Sequence, residues 1–170
     1  MVNRAVIYTA QTKKSRINII NAILNGKDTL DFYEGSNQEA TIYRSLFGVT
    51  NIVDGNPKPD IKVILDEIDK YIDSCSDKKV FLTVLINKLI KEPYGMRVGL
   101  IPFYLAYVIK NRKEDIDIIV YFVDKEIQLN ADIIVNMCEN PDDYAIYVSK
   151  ADLQKKKFIT EKKWDFQKNA

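Results

Sequence analysis

Apolar positions at helical spacing run through most of this chain, and the breaks in that rhythm mark its elements. Ile17, Ile20, Ile23 and Leu24 recur at three- and four-residue steps, which predicts a helix over 12–24 that ends at Gly26. Ser36-Asn37-Gln38-Glu39 has the form of a capping box, with the Ser36 hydroxyl accepting the Glu39 amide, and launches a short helix over 40–47 that stops at Gly48. Asp54 to Pro59, with Gly55 and Pro57, is the most linker-like stretch. Beyond it Ile61, Ile64, Leu65, Ile68, Tyr71, Ile72 and Cys75 form one stripe, with Asp66, Glu67, Lys70 and Asp73 outside it, so an amphipathic helix is expected from Asp60. A second helix is expected over about 77–91. Pro93-Tyr94-Gly95-Met96-Arg97-Val98-Gly99 then forms a turn that opens into ten uncharged residues, 100–109. That run is apolar on every face, which predicts a buried central helix reaching about 111.

After it the period changes. Residues 116–123 are rich in β-branched and aromatic side chains, Asp124-Lys125-Glu126 reads as a turn, and 127–129 can return as a partner strand. Asn130 is placed to cap a short helix through Cys138, Pro141 forbids its continuation, and 144–148 reads as a further strand. Residues 151–164 read as a lysine-rich helix. Helix, helix, turn, helix and hairpin over 60–129 is the order of a winged helix, whose sheet the 144–148 strand would extend. The expectation is therefore an α+β, helix-rich fold: a winged-helix-like three-helix unit with a small antiparallel sheet over 56–150, an N-terminal helical arm over 1–55 and a basic C-terminal helix or tail over 151–170.

With 170 residues, 46% of them hydrophobic and 29% charged, the chain can bury one substantial core. Its 25 basic and 24 acidic residues leave a net charge of +1, so no global field draws it to nucleic acid or membrane. The 100–109 run is far shorter than the roughly 20 residues that span a bilayer, and the first ten residues lack the apolar core of a signal peptide. A cytoplasmic location is expected. The two cysteines, Cys75 and Cys138, fall in helical patterns and read as buried thiols rather than a disulfide framework.

The absence of histidine removes Ser-His-Asp and Cys-His machinery and histidine-ligated metal. Gly26-Lys27 is followed by Asp28 and preceded by Asn21 where a phosphate-binding loop needs glycine, so no Walker A site is expected. Asp77-Lys78-Lys79 after Pro59-Asp60 faintly echoes a nuclease, but Asp77 reads better as a helix cap. Asp66, Glu67, Asp69 and Asp73 read as a solvated helix face, interleaved with Lys62 and Lys70, and no cofactor is expected. Lys13-Lys14-Arg16 and the set Lys155, Lys156, Lys157, Lys162 and Lys163, followed by Trp164 and Phe166, are candidate phosphate contacts or simply surface lysines. The 100–111 helix cannot read a major groove, because its early turns offer Leu100, Ile101, Phe103, Tyr104 and Leu105. Tyr94 and Arg97 are the candidate partner-binding pair. Arg97 either meets a partner carboxylate or phosphate or braces the turn by bonding its carbonyls, and Arg44, after Tyr43, carries the same two readings.

Glu92-Pro93-Tyr94-Gly95-Met96-Arg97-Val98-Gly99-Leu100-Ile101-Pro102 resembles a segment, similar to Pro-Pro-Tyr-Gly-Leu-Arg-x-Gly-x-x-Pro, of very large bacterial P-loop ATPases found in phage-defence and BREX-like gene clusters. Glu39 to Phe47 resembles the upstream helix of that region, and Glu139-Asn140-Pro141-Asp142-Asp143-Tyr144 its downstream helix-to-strand turn, so the likeness spans about 13–150. Glu92 departs from the usual first proline, and the ATPase core is absent. The resemblance implies an accessory region, either part of a longer protein or a separate chain. Together these readings give a non-enzymatic interaction or regulatory domain associated with a larger ATPase. The alternative is a sequence-nonspecific nucleic-acid-binding module using the terminal lysines. A small enzyme with an unrecognised site is a third reading.

Overall fold

A computed structural model describes residues 10–26 and 34–149. The expected lysine contacts at 155–163 and the helix over 151–164 lie outside these residues. Helix α1 (Ala10–Leu24) is followed by the short α2 (Gln38–Tyr43), which runs on into a single π-helical turn (Arg44–Gly48). Then come α3 (Pro59–Ser74), β1 (Val80–Phe81), α4 (Leu82–Ile90), a 3₁₀ turn (Val98–Leu100), α5 (Ile101–Arg112), β2 (Asp117–Phe122), β3 (Lys125–Ile127), α6 (Ala131–Glu139) and β4 (Tyr144–Ser149). The fold is α+β, helix-rich, with a small four-stranded antiparallel sheet.

Helix α5 is the hub. Eight of its twelve residues are buried, on all sides, and it packs against α1, α3 and α6. Arg112 at its last turn reaches Asp69 and Asp73 of α3, placing positive charge where the helix dipole is negative. Those two acids, with Asp66 paired to Lys62, account for most of the acidic face of α3 as ordinary ion pairs. The described part of the N-terminal arm expected over 1–55 contributes to the common core. Ile19, Ile20, Ile23, Tyr43 and Phe47 belong to one contiguous cluster with Leu105 and Ile109.

The sheet has the order β1-β4-β2-β3. Its surprise lies at the centre: β4 sits between β1 and β2 rather than at an edge, pairing Val80 with Ile146 on one side and Val120 with Ile146 on the other. A strand whose first three residues are all buried belongs in the middle of a sheet, where flanking strands cover it. Val80-Phe81, expected inside the helix over 77–91, is instead strand, and α4 starts only at Leu82. Asp77 is accordingly no helix cap; it takes φ +58° and donates its amide to the Val148 carbonyl, steering the chain from α3 into β1. The capping box is also displaced by one residue. Asn37, not Ser36, accepts from the Ala40 amide at 2.8 Å, while the Glu39 carboxylate accepts from Ser15 and Asn18 of α1. Asn130 caps α6 as expected, accepting from Ile133 at 2.9 Å.

The hairpin turn is Val123-Asp124, and both residues have positive φ, +44° and +66°. A two-residue loop needs this handedness to follow the strand twist, yet a β-branched residue adopts it only under strain. Val123 gains nothing in return from its side chain, which is 62% exposed. Replacing it with Asn is expected to stabilise the protein by about 1 kcal/mol, since Asn tolerates this conformation and keeps the amide that bonds the Asp143 carbonyl. A denaturant midpoint unchanged or lowered in Val123→Asn would contradict this.

Candidate docking site

The turn between α4 and α5 is built by backbone bonds of its own. Tyr94 and Gly95 donate to the Lys91 carbonyl and Met96 donates to Leu89, while Gly95 supplies the one positive φ (+55°) that the reversal needs. With these bonds in place the backbone requires no side-chain brace. Arg97 is exposed, and no hydrogen bond or ion pair ties its guanidinium to any described residue. The bracing role therefore has no bond to carry it among the described residues.

Tyr94 and Arg97 serve different neighbourhoods. Tyr94 is half-buried and turns its phenol toward Glu67 of α3. Glu67 is only 7% exposed, with Lys88 of α4 at 2.6 Å from one oxygen and Lys70 at 3.2 Å from the other. The Lys88 ammonium holds this carboxylate below the ordinary value of 4.5 against the opposing effect of burial, with Tyr94 and Lys70 adding to the lowering. Because the folded value lies below the unfolded one, the stabilisation is complete above about pH 4.5 and is lost as the pH falls through the folded value. Glu67→Gln is expected to be less stable than the parent at pH 7, with a smaller gap at pH 3. Urea midpoints at the two pH values check this, and a gap that stays constant would show that the charge contributes nothing.

Arg97 lies at a groove. From α1 come Thr12 and Arg16; from α2 and the π turn come Ile42, Ser45 and Leu46; from the entry to α5 come Arg97, Gly99, Leu100 and Phe103. The cavity measures about 320 Å³, near the lower end of ligand-sized clefts. Its floor is apolar, and among the described residues its two charged side chains are both arginines. Arg16 is 6% exposed, so the basic run at Lys13-Lys14-Arg16 divides: the two lysines face solvent and the arginine faces inward. Along the sequence the three form a single basic run. Arg16 stands four and seven residues before Ile20 and Ile23, on the buried stripe of α1, and that spacing was the signal available.

Arg44, the third candidate, is half-buried and donates to the Gly35 carbonyl at 2.6 Å, which anchors the chain entering α2. Its preceding neighbour Tyr43 is buried in the core. The two cysteines are buried free thiols; burial pushes Cys75 up to about 11 and Cys138 to about 12, which leaves both protonated and unreactive near neutrality. Among the described residues, no group of three or more cysteines and carboxylates is gathered to hold a metal, and no helix is long and apolar enough to cross a membrane. No family model, no curated protein and no solved structure matches this chain.

Proposed function

We propose that this chain is a non-enzymatic docking module of the cytoplasm, an accessory part of a large bacterial P-loop ATPase of the phage-defence or BREX-like kind, and that it engages its partner through the groove at Arg97. The observation that carries the docking role is the state of Arg97: an exposed guanidinium with no bond to any described residue, at the lip of an apolar cavity on a rigid scaffold. The ATPase as partner rests on the resemblance of 92–102 to that family's turn. An exposed, unbonded charge contributes little to folding but can dominate an interface. Arg97→Glu is therefore expected to leave the melting temperature within about 2 °C of the parent while abolishing co-purification with the P-loop ATPase of its own gene cluster. A drop in stability, or retained association, would refute the assignment.

One observation favours nucleic acid as a second reading. Phe81, Tyr121 and Tyr147 share the outward side of the sheet, by the pairing of Phe81 and Tyr121 across Ala145, and the Lys79 ammonium lies 3.9 Å from the Tyr121 ring centre. Aromatic rings on a solvent-facing sheet beside a cation are a stacking platform for unpaired bases. Salt-sensitive binding of a single-stranded oligonucleotide that is lost in Tyr121→Ala would select this reading over the first.

A further inference from the structure

The groove's lining says what kind of partner segment fits it. Four apolar side chains, Ile42, Leu46, Leu100 and Phe103, form its floor, Arg97 stands exposed beside them, and none of the described residues lining it is acidic. The chain as a whole is almost neutral, so this one-signed lining is local rather than a reflection of overall composition. The nearest acid at the start of α2, Glu39, is engaged with Ser15 and Asn18 of α1. Resting on the docking role proposed above, we infer that the groove takes an acidic, apolar segment of the partner protein: a leucine or phenylalanine side chain seated on the floor, next to a glutamate or aspartate carboxylate held by Arg97 at the lip.

The chemistry of Arg97 fits that occupant. Guanidinium offers paired N–H donors that match the two oxygens of a carboxylate, and beside an apolar floor that bond forms with less competition from water. The cavity volume suits one large side chain and a carboxylate, not a helix laid lengthwise. The Ser45 hydroxyl, which donates to the Ile42 carbonyl at 2.8 Å, keeps its lone pairs available to accept from the segment's backbone.

The experiment uses the whole chain and fluorescein-labelled peptides read by anisotropy. The probe carries leucine, phenylalanine and two glutamates between glycine-serine ends; one control replaces the glutamates with glutamine, another replaces the leucine and phenylalanine with serine. The probe is expected to bind saturably, and each control about tenfold more weakly or worse. Arg97→Gln should reproduce the loss seen with the glutamine peptide, and Arg97→Lys should restore part of it. Equal binding of the acidic and glutamine peptides, or binding indifferent to Arg97, would overturn the inference. So would self-association of the chain that Arg97→Gln abolishes, which would assign the groove to a second copy, or 3-phenylpropionate competing as strongly as the unlabelled peptide, which would assign it to a small acid. If the peptide fails while ATPase association still depends on Arg97, the stated segment chemistry is wrong and the docking role stands; if both fail, the docking role falls with it.

Discussion

Leu105→Asp is expected to leave the chain unable to fold in soluble form. Leu105 has no exposure at all and sits at the middle of α5, the helix that touches α1, α3 and α6. Removing the leucine's packing costs about 2–5 kcal/mol. An uncompensated carboxylate in the same spot costs several kcal/mol more, whether it stays charged or is forced to protonate. Set against a total stability of about 5–15 kcal/mol, the sum removes most or all of the margin. Leu105→Ala is the necessary companion, since it carries only the packing loss and should remain folded with a lowered melting temperature. Soluble expression followed by circular-dichroism melts decides the matter, and a Leu105→Asp protein melting within a few degrees of the parent would show that α5 is not the centre of the core.

Phe47→Ala is expected to lower stability by about 3–5 kcal/mol, in one cooperative transition. Phe47 is 1% exposed and lies in the π turn, where its ring stacks on Tyr43 at 4.9 Å and meets Tyr104 and Tyr107 of α5 at 5.7 and 6.0 Å. The same contact is tied by Tyr104, whose hydroxyl donates to the Leu46 carbonyl at 3.2 Å. For a chain of this size the loss corresponds to a fall in melting temperature of about 6–20 °C. The shape of the transition matters as much as its midpoint. If residues before 56 folded as a separate arm, the mutation would split off an early step and leave the later one where it was; if they belong to the common core, the whole curve shifts together. Melts followed both by backbone signal and by tyrosine fluorescence separate the two outcomes.

Of the candidate site, the turn that presents Arg97 was visible along the chain. Pro93 to Gly99 stood out because a cluster of turn residues interrupts two helical patterns, and Arg97 was the one strong cation inside it. What its guanidinium does could not be read there, because bracing and docking use the same residue in the same turn. Backbone amides at Tyr94, Gly95 and Met96 close the turn without it, so bracing has no bond to carry it among the described residues. Tyr94 and Arg97 are neighbours only in sequence. Three residues apart on a reversing chain, the two side chains meet different elements: one turns to Glu67, the other to the groove.

The apolar stripe of α3, the all-round apolar α5 and the α6 cap were legible in the sequence, because amphipathic spacing and local caps act within a few residues. Tertiary structure decided what depends on distant partners. Val80-Phe81 has an apolar pattern that fits helix or strand equally, and it became strand because β4, more than sixty residues later, offers Ile146 and Ala145 as ladder partners. β4 took the centre of the sheet because its buried residues need cover on both flanks, a demand that only the assembled strands can meet. Arg16 follows the same logic. On the isolated helix it is one more basic residue after Lys13 and Lys14, and only the packing of α1 against α2 and α5 turns it into the wall of a groove, since burial is a property of the surfaces that meet and not of the residue that is covered.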